Sequence, residues 1–509
     1  MSGLETSIFD PFSYDLEILT IVNNEGESFD VKDTFQQFLI TEDITQPFLT
    51  GELILVDSTG FLERAKLTGQ ESVRIRFKHP EANHENDVID QLFRIYKVMD
   101  VLRENQNIQT IKCLFASPEL IEAKRKRISQ AFNGNLLDIV AKISTDHLGI
   151  IHDEKLDAEN PPPKMTPYFE RRAKSEQFAH LVIPNWTVFN TITWLCAQAQ
   201  DSNHDSHLTD SYYFNQTANG GYRLHSLKQM YGVDYLNGDE FAYSVTYGDS
   251  KTREPSPDEE AKSWEHPPGR RIISYINPTS ANVLDGITNG LFGSKLTTID
   301  STYKHYREKT YNLLERFYAG DNTIEDHPFI RIAEEQLNIG ESSTDPSQDL
   351  VCRGLYENET LRKPLSSYPD ATQLLMTQNS YVNDSAGNIP SVYGRAHLGG
   401  AQTRVAVHEL LSYHTIQCLI SARSDISTGQ LINLKLTLPA PEGLLEDWEP
   451  LFYNGKHLIK KIQWSATKTR MELNITCMKD SVENNIETIK IQYPEKEYQL
   501  VGPPKDLME

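Results

Sequence analysis

Thr68-Gly-Gln-Glu-Ser-Val-Arg-Ile-Arg-Phe77 and Thr428-Gly-Gln-Leu-Ile-Asn-Leu-Lys-Leu-Thr-Leu438 open on the same three residues and run into strands of the same kind. In the first, Val73, Ile75 and Phe77 alternate with Ser72, Arg74 and Arg76. In the second, Ile432, Leu434, Leu436 and Leu438 alternate with Asn433, Lys435 and Thr437. A period of two puts one side chain set on a buried face and the other toward water, the mark of a half-buried strand.

The likeness continues downstream. Leu92 to Glu119 lines up with His457 to Glu483, each a strand, a polar turn, and a second strand carrying a cysteine before a serine. A pattern repeated on this scale implies one supersecondary unit used twice, the alternative being two hairpins alike by chance. If the repeat holds, the two regions should superpose with Gly69 on Gly429 and Cys113 on Cys477. Three such chains would then present six units around an axis.

Working outward, the first 117 residues read mainly as strands, among them Gly51 to Asp57, Leu92 to Val101 and a run through Ile111, Cys113 and Phe115. Closely spaced strands broken by Gly and Asp turns indicate a small barrel or sandwich. From Ser117-Pro118 the texture changes to a Pro-started helix, then an amphipathic helix on Leu136, Ile139, Val140 and Ile143. Val188 to Gln198 reads as a further helix, and Tyr212 to Leu227 as a hairpin turning at Asn219-Gly220-Gly221. Strands resume at Arg271 to Asn277, and Met471, Leu473, Ile475 and Cys477 give another clean alternation.

The expected fold class is α+β, with two related small antiparallel β-barrels and α/β accessory parts between and inserted. The expected division is a first barrel over 1–117, an α/β accessory domain over 118–249 and a linker or mobile loop over 250–270. A second barrel spans 271–310 plus 395–485, interrupted by an inserted accessory segment over 311–394 with a helix at Ile332 to Leu337. A tail follows over 486–509.

Composition excludes several classes. The formal net charge of −23 opposes tight wrapping of nucleic acid, which needs clustered Lys and Arg against phosphate. No apolar run is long enough to span a bilayer, so no membrane insertion is expected, and the acidic N-terminus does not read as a signal peptide. Cys113, Cys196, Cys352, Cys418 and Cys477 are scattered, with no CxxC pair. They read as apolar core residues of a protein assembled in a reducing cytoplasm, not as a disulfide framework or a zinc site.

Candidate chemistry is sparse. His408-Glu-Leu-Leu-Ser-Tyr-His414 resembles a zincin helix, but its histidines are six apart rather than four and so do not share a helix face. Val407, Leu410, Leu411 and His414 instead form a core-facing stripe. His84 and His305 stand alone, and Asp258-Glu259-Glu260 reads as a solvated loop. The Asn215-Gln-Thr217 sequon is read as carrying no function. No nucleophile or nucleotide motif occurs. No catalytic, cofactor-binding or metal residue is expected, and the chain is not expected to be an enzyme.

Several ordered stretches resemble one family. Phe38-Leu-Ile-Thr-Glu-Asp-Ile44 with Pro47, Leu49 to Asp57 and Leu67-Thr-Gly-Gln-Glu71 are similar to the first tube domain of T4-like phage baseplate central hub proteins. So are Phe115-Ala-Ser-Pro-Glu119 and Ile128 to Gly134. Trp186 to Ala199 and Gly220 to Ser226 resemble the family's second domain. Asn282 to Lys295 with Asp300, Tyr393-Gly-Arg-Ala396 and the segment 401–422 resemble its second tube region. The family is related to the hub part of type VI secretion spike proteins. The resemblance implies a homotrimer that caps a tail tube, with a spike protein below and a tube or tube-initiator protein above. Tape-measure and baseplate wedge proteins are further candidate partners. DNA would pass through the lumen without specific binding, between faces that are net acidic or neutral. The expected place is the virion tail baseplate, assembled in the host cytoplasm, with the spike on a separate chain. A tailocin or type VI-like machine, or a cell-wall hydrolase carrying two binding modules, are the competing functions.

Overall fold

The computed structural model describes residues 12–58, 60–79, 88–103, 108–152, 168–171, 178–199, 211–231, 272–276, 283–300, 304–313, 323–325, 327–328, 373–378, 400–421, 423–424, 426–434, 436 and 453–482. The 250–270 loop, the helix at Ile332 to Leu337, His84, Cys352 and Leu438 lie outside the described residues.

The N-terminal part is almost all antiparallel sheet: β1 (Asp15–Val22), β2 (Ser28–Asp30), β3 (Phe35–Asp43), β4 (Thr50–Asp57), β5 (Ser72–Lys78), β6 (Val88–Arg103) and β7 (Gln109–Ala116), with one short helix, α1 (Phe61–Ala65), before β5. Alternation dictates the faces. In β5 the buried residues are Val73, Ile75 and Phe77, while Ser72, Arg74, Arg76 and Lys78 lie nearer water. Phe38, Phe77, Phe93 and Phe115 fill the inner face, the last two with ring centroids 4.6 Å apart.

The middle part begins with α2 (Pro118–Arg125), β8 (Arg127–Asn135) and α3 (Leu136–Ile143). Asn135 caps α3 by accepting from the Leu137 N–H. Ser117 does not cap α2 through its side chain. Its hydroxyl is drawn to Gln216 Oε1 instead. Then come β9 (Ile151–His152), β10 (Tyr168–Arg171), β11 (Phe178–Thr187), α4 (Val188–Gln198), β12 (Tyr212–Gln216), β13 (Tyr222–Ser226) and α5 (Leu227–Tyr231). β8 pairs with β11, and β12-β13-β10-β9 form a separate sheet in which β10 runs parallel to both β13 and β9. The buried faces of α3 and α4 share a second apolar cluster with β12 and β13.

The C-terminal part holds β14 (Ile272–Ile276), α6 (Val283–Asn289), β15 (Gly293–Asp300), β16 (His305–Asn312), β17 (His327–Pro328), β18 (Gln373–Gln378) and α7 (Gly400–Tyr413). It continues with β19 (His414–Ser421), β20 (Leu431–Leu434), β21 (Gly455–Thr467), β22 (Met471–Lys479) and β23 (Ser481–Val482). β15, β16 and β18 make their own small sheet, and β17 pairs with β23.

The large sheet runs β14-β19-β22-β21-β3-β4-β7-β6-β5-β1-β2, with β20 beside β21. Two halves of this path have one topology. The order β3-β4-β7-β6-β5 matches β14-β19-β22-β21-β20 strand for strand, and every pairing within both is antiparallel. The irregularities match as well. A bulge between Phe35 and Gln37 against β4 recurs between Ile272 and Ser274 against β19. A bulge between Ile95 and Lys97 against β7 recurs between Ile459 and Lys461 against β22. A bulge inserts a residue at one fixed point of a ladder, so two shared bulges pin the correspondence residue by residue.

That correspondence corrects the expected superposition. Ile95 faces Phe115 where Ile459 faces Cys477, so Cys477 stands in the place of Phe115, and Cys113 in that of Ile475. The shift is two residues, which keeps each side chain on its face and leaves the alternation unchanged. Likewise Ile95 N–H donates to Glu71 O and Ile459 N–H to Gln430 O, so Gly429 sits one residue nearer its strand than Gly69. Both glycines have positive φ, +91° and +80°.

The expectation of two barrels is met only at the coarser level of antiparallel sheet with a few helices. Among the described residues no strand pairing closes either unit on itself. The two units lie in one sheet and share one apolar cluster, from Leu19 and Phe38 through Trp464 to Cys477.

Candidate functional site: the seam between the two units

The seam is made by β21. Its first residues, Gly455 to Leu458, pair with β20, and its later ones, Lys461 to Thr467, pair antiparallel with β3 of the other unit. The ladder covers seven residues of each strand, from Lys461 opposite Asp43 to Thr467 opposite Gln37. Side chains reinforce it. Gln37 Nε2 donates to Ser465 Oγ at 2.9 Å and Gln463 Nε2 to Thr41 Oγ1 at 3.3 Å. Trp464 is fully buried, and its indole N–H donates to Arg423 O at 3.0 Å.

Glu42 lies near one end of the seam ladder, opposite Ile462. In β3, Phe38, Ile40 and Glu42 fall on the buried phase, which Ile44 continues just past the strand, so alternation carries a carboxylate inward among apolar residues. Its Oε1 accepts from the Thr428 N–H and Thr428 Oγ1, both at 2.7 Å, and its Oε2 accepts from the Ala218 N–H at 2.8 Å. One carboxylate thus ties β3 of the first unit, the Thr-Gly-Gln turn of the second, and the β12–β13 hairpin of the middle part. Burial pushes its pKa up, against the pull of the Thr428 and Ala218 donors and the nearby Arg223.

The hairpin also clasps that turn. Asn215 Nδ2 donates to Thr428 Oγ1 at 3.0 Å, and Arg223 donates to Ser427 Oγ at 3.1 Å. The His225 ring packs where a Cβ on Gly429 would lie, 2.9 Å away, so glycine is required for space as well as for its φ. Asn215 is buried in this network.

A second buried polar cluster stands at the other end of β22. Lys479 Nζ lies 3.0 Å from Glu325 Oε2, with both side chains buried, and also donates to Asn454 O. Asp480 accepts from the Ile324 N–H at 3.0 Å and the Tyr231 hydroxyl at 3.1 Å. His414 and His457 pack beside it with ring centroids 5.8 Å apart. Burial, with Lys479 adding its charge, holds His414 down at about 4 and His457 well below the ordinary histidine value.

The residues weighed for zinc are not brought together. His408 meets the Tyr213 hydroxyl at 2.7 Å, while His414 is buried at the start of β19. Val407, Leu410 and Leu411 are buried on α7, whereas His414 lies beyond the end of that helix, so the expected four-residue stripe is three residues long. Among the described residues no group of three His, Cys, Asp or Glu has metal-site geometry. Cys113, Cys196, Cys418 and Cys477 are buried free thiols, each pushed up by burial. Asp258, Glu259 and Glu260 lie outside the described residues.

Sequence reasoning missed Glu42 and Lys479, although both carried a signal. Each is a charged residue on the buried phase of an alternating strand, Lys479 following Leu473, Ile475 and Cys477. A charge in that position needs a partner.

No family model matches the chain, and no curated protein matches it. Its structural neighbours are tail and secretion-machine proteins. A tail protein from Neisseria meningitidis is similar over 92% of this chain and 97% of its own, at 10% identity and a TM-score of 0.44. A 43 kDa tail protein of prophage MuSo2 from Shewanella oneidensis is similar over 91% and 98%, at 10% identity and a TM-score of 0.45. An E. coli component of the type VI secretion system is similar over 92% of this chain and 76% of its own, at 8% identity and a TM-score of 0.37.

Proposed function

We propose that this chain is the structural hub of a phage tail baseplate, or of a related injection machine, and that three copies form a ring of six equivalent units. The observation that carries the reading is the duplicated five-stranded unit, with its two matched bulges, joined head to tail by the β21–β3 ladder. A head-to-tail joint between equivalent units generates a ring when its rotation closes. The ordered motifs that resemble hub proteins support the same reading. In it each unit is a small barrel, a trimeric spike docks on one side, and a sixfold tube docks on the other.

No residue of the chain is catalytic in this reading. Glu42, Glu325, Lys479 and Asp480 are bonded to neighbouring parts of the fold, and each holds those parts together. The lumen faces are net acidic or neutral, so the full chain should not hold DNA with micromolar affinity at physiological salt.

Light scattering of the full chain, alone and with a candidate spike protein, tests the assembly. A mass of three chains is expected, and a stable dimer or hexamer would overturn the ring. Digestion of purified peptidoglycan by the chain, abolished by a single carboxylate change, would overturn the non-enzymatic reading.

A further inference from the structure

Beside the second unit lies a group of cations that no carboxylate among the described residues neutralises. Arg404 and His408 stand one helical turn apart on the same face of α7. His408 Nε2 meets the Tyr213 hydroxyl of β12 at 2.7 Å, and the two rings sit edge to face with centroids 5.6 Å apart. Lys460 approaches the same histidine from β21, so its charge and that of Arg404 both bear on the imidazole. Arg404 Nη1 is buried and has no hydrogen-bond partner among the described residues. Three elements thus bring a guanidinium, an ammonium, an imidazole and a hydroxyl to one place, and the charges that act on Arg404 and His408 there include no carboxylate.

Lys460 owes its direction to a bulge. β21 pairs with β22 through Ile459 and Lys461, and Lys460 is the residue between them that the ladder skips. A bulge re-aims the side chain that it carries. The matching bulge of the first unit holds Tyr96 between Ile95 and Lys97. A cation at this point is therefore no requirement of the five-stranded unit. The buried acids Glu42, Glu325 and Asp480 are already engaged, with Thr428 and Ala218, with Lys479, and with Ile324 and Tyr231. Burial pushes Arg404 below its usual value, and burial together with Lys460 and Arg404 does the same to His408. Cations gathered away from water cost folding energy unless a counter-charge joins them.

We infer that Arg404, His408, Lys460 and Tyr213 form a binding site for one small oxyanion of the inorganic phosphate type. The inference does not depend on the ring. A guanidinium offers a fork of donors to two oxygens, an ammonium adds a point charge, and a hydroxyl or imidazole adds a single donor. Donors that converge from three elements suit a tetrahedral anion better than a planar carboxylate, which one guanidinium fork satisfies. The three cations are half-buried, so water and an ion dissolved in it reach them. A bound anion links α7, β12 and β21. It adds a removable tie between the middle part and the second unit beside the permanent one at Thr428.

The test is isothermal titration of the full chain, exchanged into phosphate-free buffer, with inorganic phosphate at constant ionic strength. One phosphate per chain is expected. Arg404→Met should weaken binding by about tenfold or more, the loss of charge-assisted hydrogen bonds. Lys460→Met, at a half-exposed position, should weaken it by a smaller factor and serves if Arg404→Met fails to fold. Lys66→Met, whose ammonium pairs with Glu25 on the surface, is the control and should bind as the native chain does. Thermal unfolding gives a second readout. Phosphate at high concentration stabilises folded proteins in general, so the specific part is the increment that Lys66→Met keeps and the two site variants lose. Absence of saturable binding to the native chain, or binding that neither site variant weakens, overturns the site. A native chain that takes up no phosphate, with Arg404→Met melting earlier, means that a carboxylate of this chain already fills the place, and the free-anion assignment falls.

Discussion

The two Thr-Gly-Gln turns precede corresponding strands of the two units, one residue out of step, and draw part of their backbone acceptors from different places. In the first unit the turn is self-contained. The Glu71 carboxylate folds back and accepts from the N–H groups of Thr68 at 2.6 Å, Gly69 at 2.9 Å and Gln70 at 3.0 Å. In the second unit the residue in Glu71's place is Gln430, whose amide oxygen accepts from the Ser427 N–H at 2.9 Å. The Thr428 N–H turns outward to Glu42 of the first unit. One copy of a repeated turn kept its anion local, and the other draws it from across the seam. A local bond shapes a loop, whereas a borrowed one couples two parts of the molecule. The duplicated element thus became a joint through a change of partner with its backbone course retained.

The largest expected effect tests whether the far end of β22 is as tightly coupled as the seam. Lys479→Ala leaves the buried Glu325 carboxylate without its cation and should cost about 3–5 kcal/mol in urea unfolding. A loss below about 1 kcal/mol would show that this pair is not buried in solution. Glu42→Ala comes next, stripping acceptors from two buried N–H groups, and should cost about 2–3 kcal/mol, with Glu42→Gln milder. Equal losses for Glu42→Ala and Glu71→Ala in interdomain proteolysis would erase the distinction between a borrowed and a local anion.

pH separates the same groups by sign. Glu42 is raised in the folded chain, so the folded state holds its proton longer, and this contribution to stability is lost as pH rises through the raised value. His414 is lowered from 6.5 to about 4, so the unfolded chain binds its proton first, and stability is lost as pH falls across that interval. His414→Gln should flatten the acid limb of a stability profile, and Glu42→Gln the opposite slope above the ordinary carboxylate range. The smallest effect expected is the contrast between glycines. Gly69→Ala, with no atom closer than 3.6 Å to the new Cβ, should cost about 1–2 kcal/mol for its left-handed backbone. Gly429→Ala should cost more, because it also meets His225. Equal losses in thermal unfolding would mean that the hairpin yields.

Much of the sheet was legible because alternation is a local property. Val73-Ile75-Phe77, Ile432-Leu434-Leu436 and Met471-Leu473-Ile475-Cys477 announce their buried faces in a few residues each, and the structure buries all of them. The repeat was legible too, but its register slipped by two at Cys113 and Cys477. A two-residue shift preserves every inward and outward side chain, and only the bulges reveal it. The β21–β3 ladder was not legible at all. Gln37 and Ser465 are 428 residues apart, and neither strand's own pattern names its neighbour. The parallel pairing of β15 with β18 was hidden for the same reason.

The seam has a mechanical consequence. Hydrogen bonds in an antiparallel ladder lie across the strands. A pull directed around the sheet therefore loads all seven paired positions of β21 and β3 together, with the Glu42 bonds alongside. Nothing there resembles a hinge, because the ladder at the seam is of the same kind as the ladders within each unit. The two units should tilt and translate as one stiff plate. When an assembly of such plates changes shape, the give must come from the boundaries between chains.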